Sequence, residues 1–161
     1  MQGFKNASRR RMYRGGRQGR VAGISNRAWV VLGAVGLAPR RLVILEVRGR
    51  RSGRVIALPV VVTDYDNERY LVAMLGPHTS WVRNVRAAEG DAVLRHRHRE
   101  QVRLVEIDVA DRAPILRRYL ELAPGARAHL PVDQHAELKE FAEIAAEYPV
   151  FRIDERPPAS A

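Results

Sequence analysis

The sequence predicts one α+β domain, in which an antiparallel sheet of about six strands curls into a small barrel, with an N-terminal helix and inserted helices. Three observations support this class. The chain has 161 residues, 46% of them apolar, which suits a single domain with a buried core. Short β-branched runs recur along most of the chain. Helical periodicity appears between the later runs, so the helices are inserted among the strands.

The N-terminal third is strongly basic. Residues 1–54 hold 14 Lys or Arg and a single acidic residue, within a chain of net charge +10. We interpret residues 1–24 as a flexible basic arm, and Ser25 to about Gly36 as a short helix with Ser25 as its N-cap. The apolar run Ala28–Ala38 is too short to span a bilayer. This helix therefore either packs on the body or lies at a membrane surface.

Three β-branched runs predict the first strands, at residues 41–48, 54–63 and 69–75. The second run is nearly all apolar and predicts a central strand, although Pro59 predicts an edge, a bulge or a bend there. The DYDNE segment forms the turn that follows it. Helical spacing then begins near residue 80 and places four residues on one face, Trp81, Asn84, Val85 and Ala88.

The C-terminal half predicts a two-stranded hairpin, two amphipathic helices and a closing strand, at residues 91–98, 102–109, 111–122, 133–147 and 148–154. The hairpin turn is placed around Arg99 and Glu100. Pro114 falls in the first turn of its helix, where proline is tolerated. We expect residues 25–155 to form the single domain and residues 156–161 to form a tail.

The turn between the first two strands is crowded with charge. It holds four arginines, two glycines and a serine, at Arg48, Gly49, Arg50, Arg51, Ser52, Gly53 and Arg54. Backbone N–H groups between the glycines, the serine hydroxyl and the guanidiniums can converge on a phosphate or a carboxylate. A solvated basic hairpin is the alternative interpretation.

The start of the helix near residue 80 is a second anion-binding candidate. Thr79 or Ser80 can cap it, and a helix N-terminus attracts anions, although simple capping also explains these residues. Asn84 lies on the face that should be buried, and a buried amide must find partners. Its partner is either a backbone carbonyl or a ligand.

No other motif identifies a catalytic site. His96 and His98 could begin a metal site if both lie in a strand, but no third ligand is near and an exposed face is the alternative. The absence of cysteine excludes thiolate metal ligands and a cysteine nucleophile. Nucleophile, phosphate-loop and dinucleotide motifs are also absent, a pattern typical of enzymes in which a cofactor performs the chemistry.

The segment LEVRGRRSGRVIALPV, followed by YLVAMLG and SWVRNVRA, resembles the deazaflavin-dependent nitroreductase family of actinobacteria. The shared features are a G-R-[KR]-[ST]-G turn between strands, a proline in the second strand and a W-x-x-N-L-x-A helix. The resemblance covers residues 25–154. It implies the split β-barrel of flavin-reductase-like proteins and coenzyme F420 as cofactor, with FMN as the less favoured alternative. It also implies hydride transfer to a quinone, nitro or enone acceptor.

By this resemblance three segments bind the cofactor, through Gly49, Arg50, Arg51, Ser52, Gly53, Arg54, Pro59, Met74, Leu75, Gly76, Ser80, Trp81 and Asn84. Arg50, Arg51, Ser52 and Gly53 would hold the phosphate of F420, which also carries an acidic polyglutamate tail. Trp81 and Asn84 would flank the cofactor.

Two residues depart from the family pattern. Ile56 stands where the family usually has an arginine, and Arg54, two residues earlier on the same strand face, could supply that charge. Met74 stands where a small hydroxyl residue is usual, so its thioether would narrow the pocket. His129 is the one polar candidate for orienting the acceptor.

Two other functions compete with a deazaflavin oxidoreductase. A barrel of this kind could bind the cofactor or a hydrophobic ligand without catalysis. The basic arm could bind nucleic acid, but aromatic residues are only 6% and no basic–aromatic interleaving appears, so no specific nucleic acid is expected. The resemblance implies that residues 1–38 contact an anionic membrane. We therefore expect a cytoplasmic protein at the inner face of the cell membrane, with its oligomeric state open.

Overall fold

The structure, a computed structural model, describes residues 40–156. The predicted basic arm, the helix predicted at residues 25–36 and residues 157–161 of the predicted tail lie outside this range. Within residues 40–156, no helix is long and apolar enough to cross a membrane.

Six strands and three helices are defined in the described range. The strands are β1 (Leu42–Arg48), β2 (Val55–Tyr65), β3 (Glu68–Val72), β4 (Asp91–Arg95), β5 (Arg99–Glu106) and β6 (Val150–Glu155). The helices are α1 (Ser80–Ala87), α2 (Ala113–Leu122) and α3 (Leu138–Ile144). Short 3-10 turns lie at Val109–Asp111, Pro124–Ala128 and Ala145–Glu147.

The strands form a closed antiparallel barrel in the order β1-β2-β3-β6-β5-β4, and β4 pairs with β1 to close it. This confirms the α+β barrel predicted from the sequence. Pro59 lies opposite Ile44 on β1, in the half of β2 that precedes its pairing with β3 from Val62 onward. The predicted edge is therefore local. At Pro59 strand β2 has no β3 neighbour, so the N–H that proline lacks costs no hydrogen bond to β3.

Strand alternation divides the apolar residues into two cores. The inner core fills the barrel and includes Leu45, Leu71 and Phe151, together with Val82 and Val85 of α1. The outer core lies between the barrel wall and helices α2 and α3, and includes Val72, Val150, Leu116, Leu120 and Phe141. Helix α1 thus belongs to the barrel interior, whereas α2 and α3 cover the outer face.

Several element boundaries differ from the sequence prediction, among them those of β5, which spans Arg99–Glu106 and not residues 102–109. The β4–β5 hairpin turns at His96–His98, and Arg95 pairs with Arg99, so the predicted turn at Arg99–Glu100 is wrong. Since His96 and His98 are exposed turn residues, they do not share a strand face. Strand β3 also ends at Val72, three residues earlier than predicted, because Ala73 to Leu75 enter the turn before α1.

The helix predicted at residues 133–147 begins only at Leu138. Asp133 Oδ1 accepts from the His135 N–H at 2.8 Å, which stabilises a local turn in place of a helical one. Glu137 then acts as the N-cap and forms a capping box with Glu140. The helix ends in the 3-10 turn at Ala145–Glu147.

Candidate functional site

The loop at residues 49–54 is a tight, internally hydrogen-bonded turn between β1 and β2. The Gly49 N–H donates to the Arg54 carbonyl at 2.7 Å, and the Gly53 N–H donates to the Gly49 carbonyl at 2.8 Å. Gly53 has φ +68°, in the left-handed region that favours glycine. A Cβ on Gly49 would lie 2.9 Å from both Ile56 Cδ1 and Ser52 Oγ. The two glycines therefore permit a turn that other residues would distort.

The three arginines of this turn and Arg48, the last residue of β1, have no carboxylate partner among residues 40–156. Arg48 Nη1 donates to the Gly53 carbonyl at 2.9 Å, so this side chain braces the turn. Arg50 donates to Asn84, while Arg51 and Arg54 are exposed. The turn thus presents positive charge that no described acid neutralises, which suits an external anion.

Asn84 joins the turn to helix α1. Its side chain is 1% exposed, and Oδ1 accepts from the Arg50 backbone N–H at 3.2 Å and from Arg50 Nη1 at 2.9 Å. The sequence left its partner open between a backbone carbonyl and a ligand. In the described structure the partner is Arg50, 34 residues away along the chain.

The N-terminus of α1 lies one helical turn before Asn84. Thr79 is the N-cap, but its hydroxyl donates to the Gly76 carbonyl at 3.3 Å and does not cap the helix. No acidic residue lies in the first turn, and Ser80 is exposed there. The half-buried Trp81 packs on Phe151 with ring centroids 5.5 Å apart. The positive end of this helix is therefore not neutralised by its own first turn.

The segment between β3 and α1 carries the remaining predicted contacts. Met74 is buried in the outer core, where the Tyr119 hydroxyl donates to its Sδ at 3.2 Å, and burial raises the pKa of Tyr119. The expectation that Met74 narrows the pocket is not supported, because its bulk fits against Tyr119 of α2. Leu75 is 49% exposed, and Gly76 adopts φ +90°.

Two predicted residues lie apart from this cluster. Pro59 is buried in β2. His129 is exposed after the 3-10 turn that follows α2, and its backbone contacts are with Ala126 and with the Tyr148 hydroxyl. An open depression of about 310 Å³ lies at the other end of β2, and its lining of Asn67, Glu68, Arg69, Ile153, Asp154 and Glu155 includes none of the predicted site residues.

Sequence reasoning missed the ionic network that anchors α1. Arg86 forms two hydrogen bonds with Glu106, at 2.9 and 2.7 Å, and Arg112 also donates to Glu106 at 3.2 Å. Arg112 is only 5% exposed and donates further to the carbonyls of Ile107 and Ala145. The Arg86 guanidinium holds the pKa of Glu106 below its usual range. No local pattern indicates these partners, since they meet only after folding.

The model of the F420H(2)-dependent quinone reductase family matches this chain over residues 25–129. This span includes the turn at residues 49–54, the Ala73–Gly76 segment and α1. No curated protein matches significantly.

Solved structures share the fold at low identity. An F420-H2 dependent reductase, FDR-A, matches with a TM-score of 0.51 and 18% identity, over 74% of this chain and 99% of its own. The Agrobacterium tumefaciens protein Atu2129, of unknown function, matches with a TM-score of 0.54 and 12% identity, over 81% of this chain and 54% of its own. A heme-binding protein from Mycobacterium smegmatis matches with a TM-score of 0.50 and 9% identity, over 80% of this chain and 50% of its own. At such identities these likenesses establish the fold alone, and a fold alone does not identify a ligand.

Proposed function

The chain belongs to the F420H(2)-dependent quinone reductase family, and from this premise we propose that the 49–54 turn and α1 bind its cofactor. The family makes the protein an oxidoreductase that uses coenzyme F420. The observation that carries the proposal is the cluster of arginines in this turn, which have no described acidic partner and one of which, Arg50, is hydrogen-bonded to Asn84 of α1.

The described residues fit the chemistry of this cofactor. F420 carries a phosphate and an acidic tail, and both are anions that guanidinium groups bind through strong charge-assisted hydrogen bonds. Arg50, Arg51 and Ser52 would hold the phosphate, and Arg54 would contact the tail. The uncapped N-terminus of α1 adds further positive potential beside them.

When bound, the reduced cofactor supplies a hydride. The protein's own part is binding and orientation, because the proposed contact residues include no carboxylate and no histidine. Arginine does not release its proton in proteins, so the turn stabilises charge and does not act as an acid. The proton that an acceptor needs would come from solvent or from the acceptor side, where His129 is the polar candidate.

The acceptor is proposed to be a quinone, with nitro and enone compounds as further substrates. Two large apolar residues in the described range are exposed near these elements in the chain. Val55, 61% exposed, directly follows the turn, and Leu75, 49% exposed, lies five residues before the start of α1. An apolar, planar acceptor would cover such side chains, and their burial would favour its binding. This supports a quinone-like molecule over a charged one.

The basic N-terminal residues are proposed to bring the protein to an anionic membrane surface, on its cytoplasmic side. Residues 1–38 combine arginines with the apolar run Ala28–Ala38, the composition that favours interfacial binding. Flotation with anionic and neutral liposomes tests this directly. The full chain should float with anionic vesicles, and a chain lacking residues 1–38 should not.

Titration with F420, followed through the protein's tryptophan fluorescence, and a turnover assay with reduced F420 as hydride donor test the function. We expect micromolar or tighter binding of F420 and, in the assay, turnover of menadione as the acceptor. Binding without turnover of any quinone, nitro or enone compound would instead support a non-catalytic cofactor-binding barrel. Absence of binding at low ionic strength would overturn the proposed site.

A further inference from the structure

We propose that Asn84 is a positioning residue that holds Arg50 in place for the phosphate group, and that the phosphate is bound by Arg51, Ser52 and the Nε and Nη2 groups of Arg50. This inference rests on the proposed function and goes further, because it separates residues that shape the anion site from those that contact the anion.

The hydrogen bonds of the turn make this separation. The N–H groups of Gly49, Gly53 and Arg54 are used within the turn, the last by donating to Ser52 Oγ at 3.2 Å. The Arg50 N–H is used by Asn84. Of the backbone donors in the turn, the N–H groups of Arg51 and Ser52 have no recorded acceptor among residues 40–156. An arriving anion would therefore meet these two N–H groups and the Ser52 hydroxyl.

Arg50 differs from the other turn arginines in how its side chain is held. Its Nη1 donates at 2.9 Å to a buried side-chain oxygen, whereas Arg48 donates to a backbone carbonyl. The side chains of Arg51 and Arg54 have no acceptor among residues 40–156, and all four arginines are exposed. Within the same range the Nε and Nη2 groups of Arg50 have no acceptor, so they are available to an anion. Fixing a long flexible side chain before binding removes part of the entropy that binding would otherwise cost.

The chemistry of position 84 points to function beyond packing. An amide oxygen accepts the two Arg50 bonds without adding charge, so the turn keeps its full positive charge. Aspartate could accept the same two bonds and would pair more strongly with Arg50, but it would neutralise one cation beside the phosphate. A purely structural requirement would be met by either residue, whereas an anion site requires the neutral one.

A double-mutant cycle on the full chain tests the coupling. Affinity for reduced F420 is measured by fluorescence titration in Asn84→Ala, Arg50→Met and their combination, with Arg51→Met as the matched partner for a second cycle. We expect Asn84→Ala to weaken binding about tenfold, and to weaken it by less than about twofold when Arg50 is already Met. With Arg51→Met the two effects should multiply, to within about a factor of two.

Asn84→Asp keeps the test decisive if the alanine variant folds poorly. We expect its melting temperature to equal or exceed that of the parent chain, its Arg50 amide to stay protected from hydrogen exchange, and its F420 affinity to fall about tenfold with a weaker salt dependence. Undiminished affinity in Asn84→Asp, or equal coupling to Arg50 and Arg51, would overturn the positioning role. Failure of the parent chain to bind F420 would instead overturn the proposed function.

Discussion

Two groups of arginines within residues 40–156 lie in different settings. Arginines on the barrel wall and at α1 pair with carboxylates, among them Arg95 and Arg99 with Glu46, Arg86 and Arg112 with Glu106, Arg69 with Glu100, and Arg152 with Asp154. In the turn at residues 48–54, four arginines contact only a carbonyl, an amide or no described side chain. We call these the wall arginines and the turn arginines.

The contrast separates charge that stabilises the fold from charge that is available for binding. A guanidinium paired with a carboxylate contributes to structure but has little net field left for a ligand. Unpaired arginines on one short loop repel one another, and the fold tolerates this because the loop is held by its own backbone bonds and by Asn84. Changes in the two settings should therefore alter different properties, stability for the wall arginines and anion affinity for the turn arginines.

Reversing one turn charge should have the largest effect. Arg51→Glu removes a proposed phosphate contact and adds repulsion, so we expect F420 affinity to fall about 100-fold while the melting temperature stays nearly constant. Fluorescence titration and thermal unfolding measure the two quantities.

Arg97→Glu is the matched control for that substitution. Arg97 is exposed in the β4–β5 turn, far along the chain from the proposed site, and the substitution changes net charge equally. It should alter affinity by less than about twofold, through long-range steering alone. Equal losses in the two variants would show that only overall charge attracts the cofactor.

Breaking the wall network should chiefly lower stability. Glu106→Gln removes the negative charge that pairs with Arg86 and with the nearly buried Arg112, and it replaces one of the two accepting oxygens with an NH2 group that cannot accept. We expect the free energy of unfolding to fall by about 2 kcal/mol, measured by urea denaturation. Reduced F420 should still bind within a few-fold of normal, since Asn84 and the turn are intact. A large loss of affinity with unchanged stability would contradict the division between the two settings.

Acid should weaken the ion pairs of the wall arginines and leave the contacts of the turn arginines unchanged. Hydrogen bonds from arginine hold the pKa values of Glu100, Glu106 and Asp154 below their usual range. Their stabilising contribution is therefore complete above the unfolded pKa values of about 4 and is lost as the pH falls through the lower folded values. Urea midpoints should drop from about pH 5 to pH 3, less steeply in Glu106→Gln. Arg51→Met should follow the parent curve, and a flattened curve there would reveal an acidic partner for the turn.

The features that depend on residues close together in the chain could be predicted from the sequence, whereas the contacts between distant residues could not. Strand patterns, Pro59 and the glycine-rich turn follow from residues close together in the chain, and the barrel confirmed them. The β4–β5 turn was misplaced because alternating Arg and His mimic a strand. The pairing of Asn84 with Arg50 could not be predicted, since amide burial requires a partner without specifying which. The packing of the Met74 side chain in the outer core also could not be predicted, because its partner Tyr119 lies 45 residues away in the chain.

Arg54 provides the test with the smallest expected effect. The family usually has an arginine where this chain has Ile56, and Arg54 would supply that charge. Ile56 is half-buried with its Cδ1 close to Gly49, so a new arginine at position 56 must extend outward to reach an anion. An exposed ion pair contributes little, so Arg54→Met should weaken F420 binding only about threefold. Adding Ile56→Arg to Arg54→Met should restore the lost affinity if both side chains contact the same tail carboxylates.

The comparison is sharpest with F420 forms of long and short tails, because a tail contact loses its effect as the tail is shortened. If the threefold loss persists with the shortest tail, Arg54 acts on the phosphate, and the turn arginines form one anion site in place of two.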